Sequence, residues 1–441
     1  MSELRVALVS LGCDKNTVDS EVMLGLLASQ GFVLTADASQ AEVIIINTCG
    51  FLQDAVDESY QEIQSAIGQK ETGCCRAVIV TGCAAVRYRE DILAVDGVDA
   101  VMGVNEYANL IPVVQKALGV AAAIQPLTTD LELLRIPSTP KHYAYLRIAE
   151  GCDKNCTYCT IPAIRGSYTS RHLESLLEEA KRLADLGVRE LVLVAQDTTL
   201  YGTDIYEGQK LHVLLDKLSK IEGIHWLRLL YCYPEHIYDD LLAEMAQNPK
   251  ILPYIDLPIQ HCSDKILKLM GRRSTEQSLR DTIAHIRKSV PNVVLRTTLI
   301  TGFPGETKAD FAAMCKFVED MEFDWLGVFP YSREEGTPAD NLPDHLEEKT
   351  KLARYDRLMK IQQGATANQL AKRDGRTYEV VVEGAEENGI YFGRSFGEAP
   401  DIDGMVFISS HRHLQLGEFV QVRITETFQY EVVGEVVTQT P

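Results

Sequence analysis

The 441-residue sequence contains no apolar run approaching the roughly 18 residues that a membrane-crossing helix needs. Its N-terminus lacks the charged, apolar and cleavage regions of a secretory signal and runs directly into Arg5-Val6-Ala7-Leu8-Val9, which reads as a strand, so a cytoplasmic location is the expectation. It has no low-complexity tract and no long internal repeat. It also lacks an excess of basic charge: 43 Lys and Arg face 63 Asp and Glu, a net −20. Phosphate attraction supplies most non-specific nucleic-acid affinity, so this balance argues against general nucleic-acid binding and fits a basic partner better. What remains is 46% hydrophobic and 24% charged, the composition of a globular chain able to bury several cores. Eleven cysteines are many for a reducing compartment, where a patterned set points to metal binding or catalysis before disulfides.

Three segments are legible. Residues 1–120 alternate strands (5–10, 42–47, 77–80, 99–102) with helices. Continuous apolar runs such as Val43-Ile44-Ile45-Ile46 predict a parallel sheet covered on both faces, a small doubly wound α/β domain. Residues 121–140, with Pro126, Pro137 and Pro140, read as a linker. Residues 141–373 repeat the alternation six times, with strands near 144–148, 191–195, 227–231, 254–257, 293–300 and 325–329. That is a partial TIM-like (βα)6 barrel, followed by a helix over about 344–373. Leu173, Leu176, Leu177, Ala180, Leu183 and Ala184 form the apolar stripe of one of its helices. Residues 374–441 hold five short strands (377–383, 389–394, 405–409, 419–425, 431–437), which suggests a small antiparallel OB-like β-barrel.

Two cysteine triads stand out. Cys152, Cys156 and Cys159 form C-x3-C-x2-C just after the first strand of the (βα)6 segment, with Tyr158 before the last thiol. Three thiolates on one loop suit an iron–sulfur cluster with one iron left open. A zinc site would want a fourth Cys or His, and His142 and His172 lie at least ten residues off. Cys13, Cys49 and Cys83 have no local spacing, yet each follows the C-terminal end of a predicted parallel strand. In an open α/β sheet those ends share one edge, where ligands bind, so the three should converge on a second cluster with an open iron. Cys74, Cys75, Cys232, Cys262 and Cys315 have no matching pattern.

The C-x3-C-x2-C loop resembles that of the radical S-adenosylmethionine superfamily. The segment Leu299-Ile300-Thr301-Gly302-Phe303-Pro304-Gly305-Glu306 is similar to its adenine-contacting GxIxGxPGE stretch. Across essentially the whole chain, the order of domains resembles the radical S-adenosylmethionine methylthiotransferases. The matching motifs are SLGCDKN, NTCGF, VTGCAA and EGCDKNCTYC, then Ile161 to Gly166 with Ser170-Arg171. Asp14, where Pro is frequent, and Cys262, where a small residue is usual, are departures that remove no ligand.

The resemblance implies two 4Fe-4S clusters, an auxiliary one on Cys13, Cys49 and Cys83 and a radical one on Cys152, Cys156 and Cys159. It also implies bound S-adenosylmethionine, with Tyr158, Gly302 and Gly305 as cofactor contacts, and a C-terminal TRAM domain as the substrate reader. One S-adenosylmethionine would supply a methyl group to sulfur at the auxiliary cluster, and another the radical that abstracts hydrogen from the substrate carbon. An electron donor such as a flavodoxin or ferredoxin is implied as well.

The family divides between transfer-RNA modifiers and a branch, the RimO type, acting on the β-carbon of an aspartate in ribosomal small-subunit protein S-12. From Asp374 onward there are 12 acidic residues, 4 arginines and no lysine, a net −8 that should repel phosphate and attract a basic ribosomal protein or the assembled small subunit. Gly393 to Gly404 resembles the GRSxxDAPEIDG pattern of that protein-modifying branch, and His142 to Leu146 points the same way. Asp401 and Asp403 are the expected docking carboxylates. A transfer-RNA methylthiotransferase, and a non-catalytic iron–sulfur or zinc protein, are the alternatives.

Overall fold

The computed structural model describes residues 4–120, 131–386 and 389–437. The first sheet is parallel, with strands Arg5–Ser10, Val33–Leu34, Val43–Thr48, Ala77–Gly82 and Ala100–Val101 in the spatial order second, first, third, fourth, fifth. Both central strands are buried at every position, because alternate residues feed two cores. Val43, Ile45, Ala77 and Ile79 pack with Met23, Leu26 and Leu27 of helix Asp14–Ser29. Ile44, Ile46, Val78 and Val80 pack with Ile63 and Ala66 of helix Gln53–Thr72 on the other face. The short strand Val33–Leu34 was not legible in the sequence, since two residues carry no periodicity.

The second sheet has six parallel strands, Tyr143–Arg147, Glu190–Val194, Trp226–Leu229, Ile251–Asp256, Val294–Thr301 and Trp325–Pro330, paired strictly in chain order and open at both edges. Leu191 and Leu193 point outward to the covering helices, whereas Val192 and Val194 point inward. Thr275 and Thr307 start two of those helices with reciprocal capping boxes. The connection expected over 121–140 lies outside the described residues up to 130. From 131 it is a packed strap: Leu131–Leu134 forms a 3-10 turn, and the buried Arg135 pairs with Glu21 at 2.7 Å and Glu179 at 2.6 Å.

Strands Thr377–Ala385, Ile390–Arg394, Val406–Ser409, Phe419–Thr427 and Val432–Val436 close into a barrel. Four of its pairings are antiparallel and one, Val406–Ser409 with Val432–Val436, is parallel. This barrel stoppers the N-terminal end of the six-stranded sheet. Tyr143, Tyr145, Trp226, Tyr254 and Trp325 share one core with its apolar residues. Arg228, fully buried, donates to Glu190 and to the Phe396 carbonyl at 2.8 Å; Arg394 reaches the same Glu190 at 2.7 Å. Burial alone would raise the Glu190 carboxyl, but Arg394 and Arg228 hold it down to about 2. Trp325 Nε1 donates to the Gly397 carbonyl at 2.7 Å.

That stopper corrects the role expected of Asp401 and Asp403. Asp401 accepts from the Tyr143 hydroxyl at 2.8 Å and the Tyr145 hydroxyl at 3.4 Å. The Asp403 side chain is 2% exposed; it accepts from the Tyr254 hydroxyl at 2.6 Å and the Ala399 N–H at 2.9 Å, with Arg296 at 3.4 Å. Both carboxylates fasten the barrel to the sheet; Asp403 is buried in that seam and turned away from any docking partner, whereas Asp401 stays exposed at its edge. The segments 142–146 and 393–404, singled out separately in the sequence, are pressed against each other.

Candidate active site

The C-terminal ends of both sheets open on one cavity of about 580 Å³, and all six patterned cysteines line it. In the N-terminal domain the strand order reverses between the first and third strands, the switch point at which open α/β sheets bind ligands. Cys13 and Cys49 follow those two strands, and Cys83 opens the helix Cys83–Arg87 after the fourth. Gly12 shows how close they come. Its φ is +91°, and a Cβ there would stand 3.0 Å from Cys49 Cβ and 3.2 Å from its sulfur. Asn16, buried one turn into the helix after Cys13, donates to the Leu11 and Thr48 carbonyls at 2.9 Å each, and its Oδ1 is 3.7 Å from the Cys83 sulfur. One amide thus ties the three strand ends together.

Arg165, at the end of the short helix that follows Cys159, reaches into this corner. It donates to Asn16 Oδ1 at 2.6 Å and Asp19 at 3.1 Å, and lies 3.6 Å from the Cys83 sulfur, while its other nitrogen donates to Glu150 at 3.0 Å. Burial pushes the Cys83 thiol up to about 12, against the opposing charge of Arg165, and pushes Cys159 to about 12 as well. Thiols so buried favour the neutral form until a metal supplies the compensating charge. Among the described residues, no three His, Cys, Asp or Glu side chains close around a single ion. Three thiolates without a fourth Cys or His suit a cubane, which spreads them over three irons and leaves one open.

Tyr158 lines the cavity, with its ring edge-on to Phe303. Gly302 and Gly305 do not line it. Thr298 and Ile300, alternate residues of strand Val294–Thr301, face the cavity, and the chain then turns away. Gly302 has φ +73°, and a Cβ on it would come within 2.5 Å of Lys351 Cγ on the long helix Glu348–Ala371. Glu306 accepts from the Gly302 N–H at 2.7 Å and from Arg354 at 2.5 Å, so this turn locks the helix onto the sheet. The left-handed Gly302 thus leaves room for that helix.

Other lining residues escaped the sequence reading. Gln196 follows strand Glu190–Val194 and donates to Glu150 at 2.8 Å. Lys15 holds its ammonium 3.0 Å over the Tyr231 ring and 3.2 Å from Asp14. Tyr231 sits at φ +58°, a costly region for an aromatic residue, held there by an N–H bond to Asp256 at 3.0 Å. Tyr233 and Arg272 stand at the Cys156 end. For Gln196, Tyr231 and Tyr233 the available signal was position alone, just past the C-terminal ends of barrel strands; Lys15 and Arg272 gave none.

Comparison with known proteins follows the same divisions. Residues 5–103 match the profile of uncharacterized protein family UPF0004, residues 146–318 that of the radical SAM superfamily, and residues 375–437 that of the TRAM domain. The chain is 47% identical over 437 residues to the ribosomal protein uS12 methylthiotransferase RimO of Lachnoclostridium phytofermentans, covering 98% of this chain and 99% of that one. It is 44% identical to the protein of the same name from Clostridioides difficile, at 98% and 99% coverage, and 46% identical to that from Acetivibrio thermocellus, at 99% of each. Among solved structures, its fold is similar to the radical S-adenosylmethionine methyltransferase TsrM of Kitasatospora setae, with TM-score 0.57, 15% identity and 77% of each chain covered. It is also similar to the cobalamin-dependent S-adenosylmethionine radical enzyme OxsB, with TM-score 0.52, 13% identity, and 81% of this chain and 56% of that one covered. With nearly half its residues shared from end to end with these relatives, the chain belongs to the RimO family of radical S-adenosylmethionine methylthiotransferases.

Proposed function

We propose that this protein transfers a methylthio group to the β-carbon of an aspartate in ribosomal protein uS12, alone or in the assembled small subunit. The observation that carries the reading is the single cavity lined by both cysteine triads, which suits two clusters working on one substrate carbon. In this reading Cys13, Cys49 and Cys83 hold the auxiliary 4Fe-4S cluster, and Cys152, Cys156 and Cys159 hold the radical one. When bound, the clusters and S-adenosylmethionine supply reductive cleavage, hydrogen abstraction and the methylthio group; the protein supplies position and shielding.

Tyr158, Gln196, Thr298 and Ile300 line the radical end of the cavity and shape it for the cofactor. Arg165 and Asn16 fix the auxiliary end against the barrel, so that the two ends keep one separation through turnover. The rings of Phe51, Phe329 and Tyr331 line the same cavity.

The domain division at 1–120, 121–140, 141–373 and 374–441 belongs to this reading, as do a flavodoxin- or ferredoxin-type electron donor and a cytoplasmic site of action. No helix among the described residues is long and apolar enough to cross a membrane. The net −8 of the C-terminal segment, without a lysine, supports a basic protein substrate over transfer RNA. The test is anaerobic turnover with small subunits and transfer RNA side by side. A mass gain for one methylthio group on uS12 alone is expected; a gain on transfer RNA alone would refute the substrate.

A further inference from the structure

We infer that Tyr233 and Arg272 form an outer shell around the cluster of Cys152, Cys156 and Cys159, in which Tyr233 raises the cluster's reduction potential by donating a hydrogen bond to the Cys156 sulfur. The inference rests on the assignment of those three cysteines made above. The Tyr233 hydroxyl lies 3.7 Å from Cys156 Sγ. A sulfur bound to iron carries no proton, so the phenol O–H is the donor. The ring is held by its neighbours. The Arg272 guanidinium stands 4.2 Å from its centroid, the Lys154 ammonium 4.6 Å, and His236 stacks beside it at 5.4 Å. His236 is itself anchored by Asp197 at 2.9 Å.

Arg272 is the second observation. It is 7% exposed and lines the cavity, and its Nη2 donates to the Pro258 carbonyl. Its Nε has no hydrogen-bond partner, and among the described residues no carboxylate pairs with the guanidinium. A buried cation without an anion is costly, so the corner is built to receive negative charge, which three thiolates on iron supply. A hydrogen bond to a ligand sulfur and a fixed cation nearby both withdraw electron density and favour the reduced cluster.

The test uses the anaerobically reconstituted full chain in a redox titration followed by electron paramagnetic resonance. The radical cluster is the signal that changes when S-adenosylmethionine is added. Tyr233→Phe keeps the ring and deletes one O–H. It should shift the reduction equilibrium about tenfold toward the oxidised form, which is 59 mV lower for one electron, and leave the other cluster's signal in place. In D2O the parent should show an exchangeable deuteron coupled to the radical cluster that Tyr233→Phe lacks; this coupling in the parent decides the matter even if the variant loads iron poorly. Arg272→Met should lower the potential again.

An unmoved potential with the deuteron coupling intact in Tyr233→Phe would overturn the inference while leaving the cluster assignment standing. An Arg272→Met protein with the parent potential but weaker S-adenosylmethionine binding would make Arg272 a carboxylate site instead. A parent without any S-adenosylmethionine-responsive signal would bring down the assignment and the inference together.

Discussion

Arg165 and Asn16 meet across 2.6 Å, joining the helix that follows the C-x3-C-x2-C loop to the helix that follows Cys13. Around them Asp19 also takes Arg147, and Glu150 takes both arginines, so the two cysteine-bearing domains share one buried ion network. This network is one of the ties that hold the two triads at their separation, together with Arg87–Glu334 at 2.6 Å and Arg135 between Glu21 and Glu179.

Arg165→Met removes the shared cation and leaves Asp19 and Glu150 underpaired in a buried site. Breaking such a pair costs about 3–5 kcal/mol. Chemical denaturation should show a loss of that order. In preparations that remain folded, more S-adenosylmethionine should be cleaved per methylthio group delivered, counted as 5′-deoxyadenosine against modified uS12. An unchanged ratio would mean that the network holds the fold without setting the distance.

The two triads should be separable. Cys156→Ala should abolish reductive cleavage of S-adenosylmethionine while iron persists at Cys13, Cys49 and Cys83. Cys49→Ala should keep cleavage and lose transfer, since each triad sits on its own sheet and no thiol serves both. Iron analysis and Mössbauer spectra of the two variants check this; either substitution emptying both sites in folded protein contradicts it.

Asp403 makes the barrel seam pH-dependent. Burial pushes its carboxyl from 3.8 to about 6, despite Arg296 nearby. The folded state therefore binds this proton more tightly than the unfolded chain. Its stabilising contribution is full below pH 3.8 and is lost as the pH rises through 6. Asp403→Asn mimics the protonated form, so it should gain on the parent between pH 5 and pH 8 by roughly 1–3 kcal/mol, because each tenfold change in proton affinity is worth about 1.4 kcal/mol. Urea unfolding at the two pH values measures the difference; a pH-independent gap would show that the carboxyl stays ionised in the seam.

Charge reversal should weaken docking only at carboxylates that face outward. Glu426 and Glu431 are exposed on the C-terminal barrel, unlike Asp403. Replacing both with Lys should reduce affinity for small subunits several-fold at low salt, with the effect shrinking as ionic strength rises. Asp403→Lys should instead loosen the barrel from the sheet and lower the denaturation midpoint. Binding isotherms across a salt series separate the two outcomes.

The cysteine corner was legible because its grammar is local. Val-Ile-Ile-Ile and Ala-Val-Ile-Val are apolar on both faces, and between helical segments that pattern points to a doubly covered parallel strand. The thiols at their ends then follow from the rule that strand C-termini share one edge. Apart from the short Val33–Leu34, the strands of the two large parallel sheets and the five strands of the C-terminal barrel could be read the same way, from period and punctuation.

Direction and neighbour were not legible. The acidity of 374–441 is a property of composition, but whether Asp403 faces solvent or Tyr254 depends on how the C-terminal barrel docks beneath the six-stranded sheet. Gly302 reads as a glycine kept for a ligand, and only the tertiary structure shows that Lys351 also passes over it. Tyr231, Tyr233, Gln196 and Arg272 are ordinary residues in sequence. They became cavity walls when the N-terminal domain closed over the barrel, through a buried charge network between residues more than a hundred positions apart. Periodicity along a chain encodes which face of its own element a residue occupies, whereas the partner across that face is chosen by packing and charge pairing between elements, a free energy that no single segment contains.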